Sequence, residues 1–360
     1  GANNSTANLA TVTITATNGS FTIPNTLLTN TGVTTITLTL LTNNTTGCTV
    51  SGLSITDDFI ISPIPSIDVD EVTINDICIG SDASVEIISL GGLIDGNYQI
   101  DYSISGANGP SNQSANVVIT GGNGVFTIPS GLLTNTGTTT ITFTGVTNLD
   151  TTCSSLLNFS INFLVNALPD VNPNEFLIDD ICIGQDAIGV IFNALNLVDS
   201  DYSITYNLTG SNIISNQTAN ITISGGTGTF IIPSALLTNL GTTTATLISI
   251  TDLATGCTTS PILISDDFII NPLPDTTGTT VLVTEPICLG DIATVTINSP
   301  LLTDGTYNIT YDLTGANTVS GSNTVVLVGG VGSFTIPASE ITISGNYTIL
   351  INTITNPITV

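Results

Sequence analysis

The chain has 360 residues and a formal charge of −27, because 27 Asp and Glu residues stand against no Lys, Arg or His. Without cationic side chains it lacks the electrostatic attraction on which binding to nucleic acid or to an anionic membrane surface depends, so both partners are excluded. Apolar residues make up 41% of the chain, which is enough to build buried cores rather than a disordered polymer.

Sequence landmarks recur along the chain with a period of about 105 residues. One landmark reads DICIGSDA at 76–83, DICIGQDA at 180–187 and PICLGDIA at 286–293. A second begins with FTIP or FIIP and occurs at Phe21, Phe126, Phe230 and Phe334. These landmarks predict four tandem domains, numbered here as repeats: 1–65 is the C-terminal part of repeat 1, 66–169 is the complete repeat 2, 170–274 is the complete repeat 3, and 275–360 is repeat 4, truncated before its last strand.

Short proline-containing segments separate the repeats, namely SPIPS at 62–66, NALPD at 166–170 and NPLPD at 271–275. Proline cannot donate to a strand ladder and stiffens the chain, so these linkers predict a restricted angle between domains and an extended rod. No apolar run approaches the 18 residues of a membrane-spanning helix. The opening residues lack the basic and apolar regions of a signal peptide, and we expect the chain to start inside a larger protein.

The elements of one repeat are predicted as seven or so strands. In chain order they are VTI at 72–74, ASVEII at 83–88, YQIDYSI at 98–104, a hairpin of ANVVIT and VFTI around a GGNG turn, TTTITFTGV after a corner at SGLLTNTG, and LLNFSINFLV. This strand count, in a unit of about 105 residues, predicts an all-β fold of tandem immunoglobulin-like β-sandwiches.

Tyrosines mark one strand of each complete repeat. Tyr98 and Tyr102 alternate with Ile100 and Ile104, so a period of two places all four side chains on one face. Six of the seven tyrosines follow this pattern. A tyrosine-lined ligand surface is one interpretation, but sharing a face with isoleucine favours packing into the core.

The six cysteines form an early series, Cys78, Cys182 and Cys288, and a late series, Cys48, Cys153 and Cys257. Pairing within a repeat, which we favour, joins Cys78 to Cys153 and Cys182 to Cys257, and leaves Cys48 and Cys288 with partners outside this chain. Two alternatives stay open, which are pairing across a linker, as in Cys48 with Cys78, and pairing of Cys78 with Cys257. Each arrangement implies an oxidising compartment.

Carboxylates concentrate near the junctions between repeats, where unpaired acids repel one another. Bridging Ca²⁺ at the junctions is one hypothesis, and its first candidate ligands are Asp57, Asp58, Asp68, Asp70 and Asp76. The alternative is solvated acid that keeps the protein soluble. No other cofactor is expected.

The composition argues against an enzyme. Catalytic triads, Schiff bases and phosphate clamps all need His, Lys or Arg, none of which is present. A glycosidase that uses two carboxylates is a distant third possibility, but the acids recur with each repeat, unlike a single active site. The expectation is a protein without catalytic residues.

The ICIG opening, the FTIP…LLTNTG segment and the late TDLATGC resemble the giant repetitive cell-surface adhesins of Bacteroidota, which include the gliding-motility adhesins of the SprB type. This resemblance implies type IX secretion and a filament on the outside of a Gram-negative cell that supports attachment and gliding motility. It also implies as partners further repeats of the same polypeptide, outer-membrane motility or secretion machinery, and surface or polysaccharide ligands bound through other regions. In this phylum, Asp-Thr-Thr resembles an O-glycosylation signal, which implies Thr151 and Thr276 as acceptors.

Two functions follow as expectations. The first is a structural stalk segment of a large secreted adhesin filament, because loop lengths match closely between copies. The second is a ligand-binding module in which one repeat carries a specialised loop that recognises a glycan.

Overall fold

The computed structural model describes residues 1–110 and 112–356, and Ser111 and residues 357–360 lie outside this description. The chain forms two compact units, Gly1–Ala167 and Leu168–Val360. In the described residues the elements are β-strands and six short 3-10 helices, without an α-helix. The 3-10 helices are Asn25–Leu27, Val69–Glu71, Ser130–Leu132, Pro173–Glu175, Ser234–Leu236 and Ala338–Glu340.

Repeat 1 is a single antiparallel pair of strands, β1 (Gly32–Thr42) and β2 (Thr49–Ile61). Its apolar side chains lack an opposing sheet among the described residues. Leu38 and Leu41 are 41% and 59% exposed. Their counterparts one repeat later, Phe143 and Val146, are fully buried at 0%.

Repeat 2 is a complete two-sheet sandwich. One sheet has the order β3-β5-β8 and the other has the order β4-β10-β9-β6-β7. The core between them joins side chains of both sheets, as where the Tyr102 and Phe126 rings lie 5.7 Å apart. The strands are β3 (Val72–Ile74), β4 (Ile77–Cys78), β5 (Ala83–Ile88), β6 (Gly96–Gly106), β7 (Gln113–Ile119), β8 (Asn123–Ile128), β9 (Gly137–Asn148) and β10 (Ser154–Asn166).

Repeat 3 has the same sheet order, with β11-β13-β16 facing β12-β19-β17-β14-β15. The counterpart of β10 is divided here into two strands, β18 and β19. The bounds are β11 (Phe176–Ile178), β12 (Ile181–Cys182), β13 (Ala187–Ile191), β14 (Ser200–Gly210), β15 (Ile214–Ile223), β16 (Gly228–Ile232), β17 (Gly241–Asp252), β18 (Thr258–Thr259) and β19 (Ile264–Asn271).

Repeat 4 pairs a sheet of order β20-β21-β24 with one of order β23-β22-β25. Its core holds the equivalent tyrosines, Tyr307 and Tyr311, beside Ile309 and Leu313. The strands are β20 (Thr280–Val283), β21 (Ala293–Asn298), β22 (Gly305–Gly315), β23 (Val319–Leu327), β24 (Val331–Ile336) and β25 (Tyr347–Thr355).

These sheets confirm the predicted fold class of tandem immunoglobulin-like β-sandwiches. The alternation in the sequence produces it, because a period of two directs every second side chain to the same face. The tyrosines confirm the core interpretation, since Tyr98 is 1% and Tyr102 is 3% exposed. The Tyr98 hydroxyl satisfies its hydrogen bond within the repeat by donating to the Ile94 carbonyl at 2.9 Å.

The segment predicted as a hairpin differs from the prediction. Its turn is present, since Thr120 and Asn123 exchange backbone hydrogen bonds of 2.9 and 3.1 Å around Gly121 and Gly122. Both glycines adopt positive φ angles of 59° and 82°, which L side chains rarely adopt. Beyond the turn, β7 and β8 belong to opposite sheets. A tight turn therefore carries the chain from one sheet to the other, and sequence alternation alone does not distinguish this crossing from a hairpin.

Candidate functional site

The cysteines do not form the predicted bonds within repeats. Cys78 lies beside the last residue of β10, because it pairs with Asn166, whereas Cys153 directly precedes the first residue of that strand. A strand of 13 residues separates the two ends by roughly 40 Å, and a disulfide requires Cα atoms within about 7 Å. The predicted bond between Cys78 and Cys153 is therefore wrong.

The same separation in repeat 3 excludes the predicted bond between Cys182 and Cys257, since Cys182 pairs with Asn271 at the end of β19 and Cys257 precedes β18. The described disulfide-bonded cysteines are Cys78 and Cys257. Cys48, Cys153 and Cys288 carry free thiols. Pairing across a linker through Cys48 is therefore also absent. The presence of a disulfide fits an oxidising compartment.

The five carboxylates proposed as calcium ligands are not brought together. Asp57 and Asp58 are neighbours on β2, Asp68 precedes the 3-10 helix Val69–Glu71 that contains Asp70, and Asp76 lies before β4. Asp76 accepts a hydrogen bond of 2.7 Å from the Leu164 backbone N–H. Among the described residues there is no group of three or more His, Cys, Asp or Glu side chains able to hold a metal ion. Calcium at the junctions stays an untested hypothesis.

Many acids instead act as hydrogen-bond acceptors for loop backbone. Asp82 accepts the Ser130 N–H at 2.6 Å, and Asp186 accepts the Ser234 N–H at the same distance in repeat 3. These bonds favour the charged carboxylate and lower the pKa of both aspartates below the usual value. A second set caps the glycine turns, with Asp95, Asp199 and Asp304 accepting the N–H groups of Gly121, Gly225 and Gly329.

A buried asparagine, which was not predicted from the sequence, connects two loops of the sandwich, the loop after β6 and the loop before β9. Asn108 is 2% exposed and donates to the Asn135 carbonyl and to Thr139 Oγ1, both at 2.8 Å. The Asn135 N–H returns a bond of 2.8 Å to Asn108 Oδ1. We call Asn108, Asn135 and Thr139 the asparagine pin. Its side chains fix the chain after β6 against the start of β9.

The asparagine pin recurs with the period of the repeats. Repeat 3 uses Asn212, Asn239 and Thr243 with bonds of 2.9 to 3.0 Å, and repeat 1 uses Asn3, Asn30 and Thr34 with bonds of 2.7 to 2.9 Å. The signal in the sequence is the recurrence of Asn in Gly-Ala-Asn or Gly-Ser-Asn and in Leu-Leu-Thr-Asn. A composition rich in Asn and Thr obscured it.

Repeat 4 departs from this pattern. Tyr347 replaces the pin's threonine, and its hydroxyl donates to Asn317 Oδ1. Glu340 stands where repeats 2 and 3 have leucine, and it accepts a hydrogen bond of 2.9 Å from the Tyr311 hydroxyl. Burial, together with this hydrogen bond and the nearby negative charge, raises the pKa of Tyr311 to about 12.

The two threonines implied as glycosylation acceptors differ in environment. Thr151 is half-buried in the turn after β9, where its backbone N–H donates to Asn148 Oδ1 at 3.0 Å. Thr276 is exposed before β20. On access alone, Thr276 is the better acceptor of the two.

A surface depression lies in repeat 2, between Ile64–Asp70 and Ser155–Phe159 of β10, and we call it the β10 groove. Its volume is about 990 Å³. Apolar residues line it together with Asp68 and Asp70. The Ser155 hydroxyl spans it at one end with a bond of 2.6 Å to the Pro65 carbonyl.

No helix in the described residues combines the length and the apolar character needed to cross a membrane. The aspartates that were described individually above are exposed or bonded to backbone N–H groups, and Glu340 is bonded to the Tyr311 hydroxyl. The structure therefore groups two features. One is the β10 groove, and the other is the repeated polar framework, by which we mean the asparagine pins and the aspartates that accept loop backbone N–H groups.

No family model matches the chain, and no curated protein matches it. Among solved structures, the FN1–FN3 domains of chicken CNTN1 align over 82% of this chain and 94% of that one, with 11% identity and a TM-score of 0.34. A marsupial T cell receptor aligns over 78% of this chain and 98% of that one, with 9% identity and a TM-score of 0.20. Escherichia coli alpha-2-macroglobulin aligns over 79% of this chain and only 21% of its own, with 9% identity and a TM-score of 0.21.

These similarities are too low to support an inference about activity or partners. The sheet order within the chain itself is the stronger observation. By that order, the chain is a series of immunoglobulin-like β-sandwich modules.

Proposed function

We propose that this chain is a structural stalk segment of a large, secreted cell-surface adhesin filament of a Gram-negative bacterium. The observation that carries the proposal is the repetition of the polar framework. The asparagine pin and the aspartate caps recur at equivalent positions in successive repeats, and their side chains are engaged in holding loops in place. A module whose polar groups serve its own loops is suited to act as a spacer.

Charge and redox state support an extracellular location. A chain of charge −27 without a basic residue resists self-association, and its disulfide-bonded cysteines suit an oxidising compartment. The absence of Lys and Arg also leaves trypsin-like proteases without a cleavage site. Type IX secretion, gliding motility, and the motility machinery and further repeats as partners are parts of the same proposal, and they rest on the resemblance in repeat style.

We further propose that the chain is not an enzyme. General bases and nucleophile activators that depend on His, Lys or Arg are missing from its composition. Its buried tyrosines pack in the core beside isoleucine. Aspartates that recur with the repeats, such as Asp82 and Asp186, act as acceptors for loop backbone.

Electron microscopy of single molecules of this chain tests the stalk. A stalk predicts an unbranched rod with a spacing of about 35–40 Å between repeats, the length of strands of about ten residues. As a stiffness control, Pro272→Gly combined with Pro274→Gly loosens one linker and should widen the distribution of angles at that joint. Particles folded back on themselves, with the same angle distribution in both proteins, would contradict the proposal.

A further inference from the structure

The outer edge of β10 in repeat 2 lacks a strand partner along most of its length, and the segment Ile64–Asp70 lies beside it across the β10 groove. β10 pairs with β9 on one side, and on the other side the described strand partner is β4, which meets it at Val165 and Asn166. From Ser154 to Phe163 the described residues provide no strand along this edge. An exposed strand edge presents unpaired N–H and C=O groups that accept an added strand.

The floor of the β10 groove is apolar and only partly covered. Leu157 and Phe159 are half-buried against the core of repeat 2, and the Phe159 ring stacks on Phe143 at 4.8 Å. At the rim, Leu156 is 94% exposed and Ile64 is 70% exposed. The groove therefore offers both backbone hydrogen-bonding groups and an apolar surface that continues into the core.

Repeat 3 interrupts the strand at the same position. Ser260 and Pro261 interrupt the strand between β18 and β19, and Pro261 occupies the position of Leu157. Proline cannot donate to an added strand, which is a common protection of sheet edges. The next core side chain is also better covered, since Ile264 is 4% exposed whereas its counterpart Phe159 in β10 is half-buried. In repeat 3 the outer edge of β19 likewise meets β12 only at Ile270 and Asn271, so the two complete repeats differ in the interruption at Pro261 and not in the strand partner of this edge.

Charge restricts what can occupy the groove. Asp68 and Asp70 are exposed at its lining, and the whole chain has no basic side chain to neutralise them. A second copy of this chain, also of charge −27, is repelled. A complementary partner carries positive charge beside its apolar residues.

We propose that the β10 groove binds an extended peptide segment of a partner protein, with alternating apolar and polar residues and Lys or Arg at its ends, which adds to the open edge of β10 as a further strand. Backbone hydrogen bonds to β10 supply binding, and the floor at Leu157 and Phe159 selects alternate apolar side chains. The lining stretch Ser155–Phe159 has the length of about five strand residues at about 3.3 Å each, and its register with β9 shifts between Leu156 and Phe159. This function is separate from the stalk role.

Fluorescence anisotropy with labelled heptapeptides tests the proposal. The probe is Lys-Val-Thr-Val-Thr-Val-Lys, and its matched control replaces both terminal lysines with glutamate. We expect saturable binding of the basic peptide and at least tenfold weaker binding of the acidic one. Equal binding of the two, or equal binding of a basic peptide in which the valines are replaced by serine, would overturn the proposal.

Amide hydrogen exchange with the bound probe locates the strand. Added pairing slows exchange at the backbone N–H groups of 154–163, whereas side-chain docking alone leaves them unchanged. Protection that appears in repeat 3 instead, or protection of 154–163 by a neutral polysaccharide but not by the peptide, contradicts the proposal.

Two variants complete the test. Asp70→Lys should weaken binding of the basic peptide at least threefold at low salt. The matched control is Asp179→Lys, at an exposed acid of repeat 3, which should leave the affinity for the peptide unchanged. Leu157→Pro transfers the proline of repeat 3 to repeat 2 and should abolish binding. If that variant fails to fold, the Asp70 pair and the exchange pattern decide the outcome, and equal affinities for Asp70→Lys and Asp179→Lys would exclude the groove.

Discussion

Repeats 2 and 3 share their sheet order and their polar framework, and they differ at the last strand. In both, an asparagine pin holds the loops and an aspartate caps the 3-10 helix after the FTIP segment. In repeat 2 the last strand is continuous over Ser154–Asn166, whereas repeat 3 divides it at Pro261. The comparison teaches that two repeats with the same asparagine pin and aspartate cap keep the same sheet order even though their last strands differ.

The largest expected effect is a loss of unfolding free energy when a core leucine shared by both repeats is truncated, compared with a leucine on the variable edge strand. Leu133→Ala in repeat 2 removes a side chain that is 0% exposed and should cost about 3 kcal/mol of unfolding free energy, as should Leu237→Ala in repeat 3. Leu156→Ala, on the variable edge and 94% exposed, should change stability by less than about 0.5 kcal/mol. Urea denaturation measures all three. A large loss at Leu156 would show that the edge belongs to the framework.

The next effect concerns the asparagine pin. Asn108→Ala leaves the buried Thr139 hydroxyl and the partly buried backbone groups of Asn135 without these bonds and should cost about 2–3 kcal/mol. Asn212→Ala should cost the same in repeat 3, because the bonds are equivalent. Asn116→Ala, at an exposed position of β7, is the control and should be nearly neutral. Unequal losses of stability for Asn108→Ala and Asn212→Ala would show that the asparagine pin does not contribute equally to the two repeats.

A smaller effect is expected from the aspartate caps at acid pH. Because the Ser130 and Ser234 N–H groups hold the pKa of Asp82 and Asp186 below the unfolded value, their stabilisation is present above about pH 4 and is lost as pH falls through the folded pKa. Asp82→Asn and Asp186→Asn remove that dependence. Melting temperatures at pH 7 and pH 3 measure it. The wild-type drop should exceed that of either variant, and equal drops would show that the caps do not contribute.

The smallest effect extends the comparison to repeat 4. The pKa of Tyr311, raised to about 12, means that its contribution to stability is present below pH 10 and is lost as pH rises through about 12. Glu340→Leu gives repeat 4 the residue of repeats 2 and 3 and should lower the pKa of Tyr311, with little change at pH 7. Absorbance titration of tyrosinate measures it. An unchanged titration would exclude Glu340 as a cause.

The sequence predicted the fold for a physical reason. Alternation of Tyr98, Ile100, Tyr102 and Ile104 is a local property, and one face of a strand must bury such a pattern in any sandwich. The strands at 72–74 and 83–88 were predicted for the same reason and match β3 and β5. Repetition strengthened these predictions, since an equivalent pattern returned after each period.

The candidate sites were predicted less well. The cysteine pairing failed because the spacing of 75 residues does not reveal that Cys78 and Cys153 lie at opposite ends of β10. The carboxylates clustered in sequence, yet Asp76 binds the Leu164 N–H of a distant strand. The asparagine pin escaped notice because its residues lie 27 and 31 positions apart.

By itself, therefore, the sequence determined the charge, the repeat period, the all-β fold and the core face of the tyrosine-containing strand, because composition and alternation act locally and recur. Only the tertiary structure decided which strand ends meet, which acids serve backbone N–H groups, and that the last strand is continuous in repeat 2 and interrupted in repeat 3. Those features depend on strand pairing between distant segments, for which local patterns provide no distance.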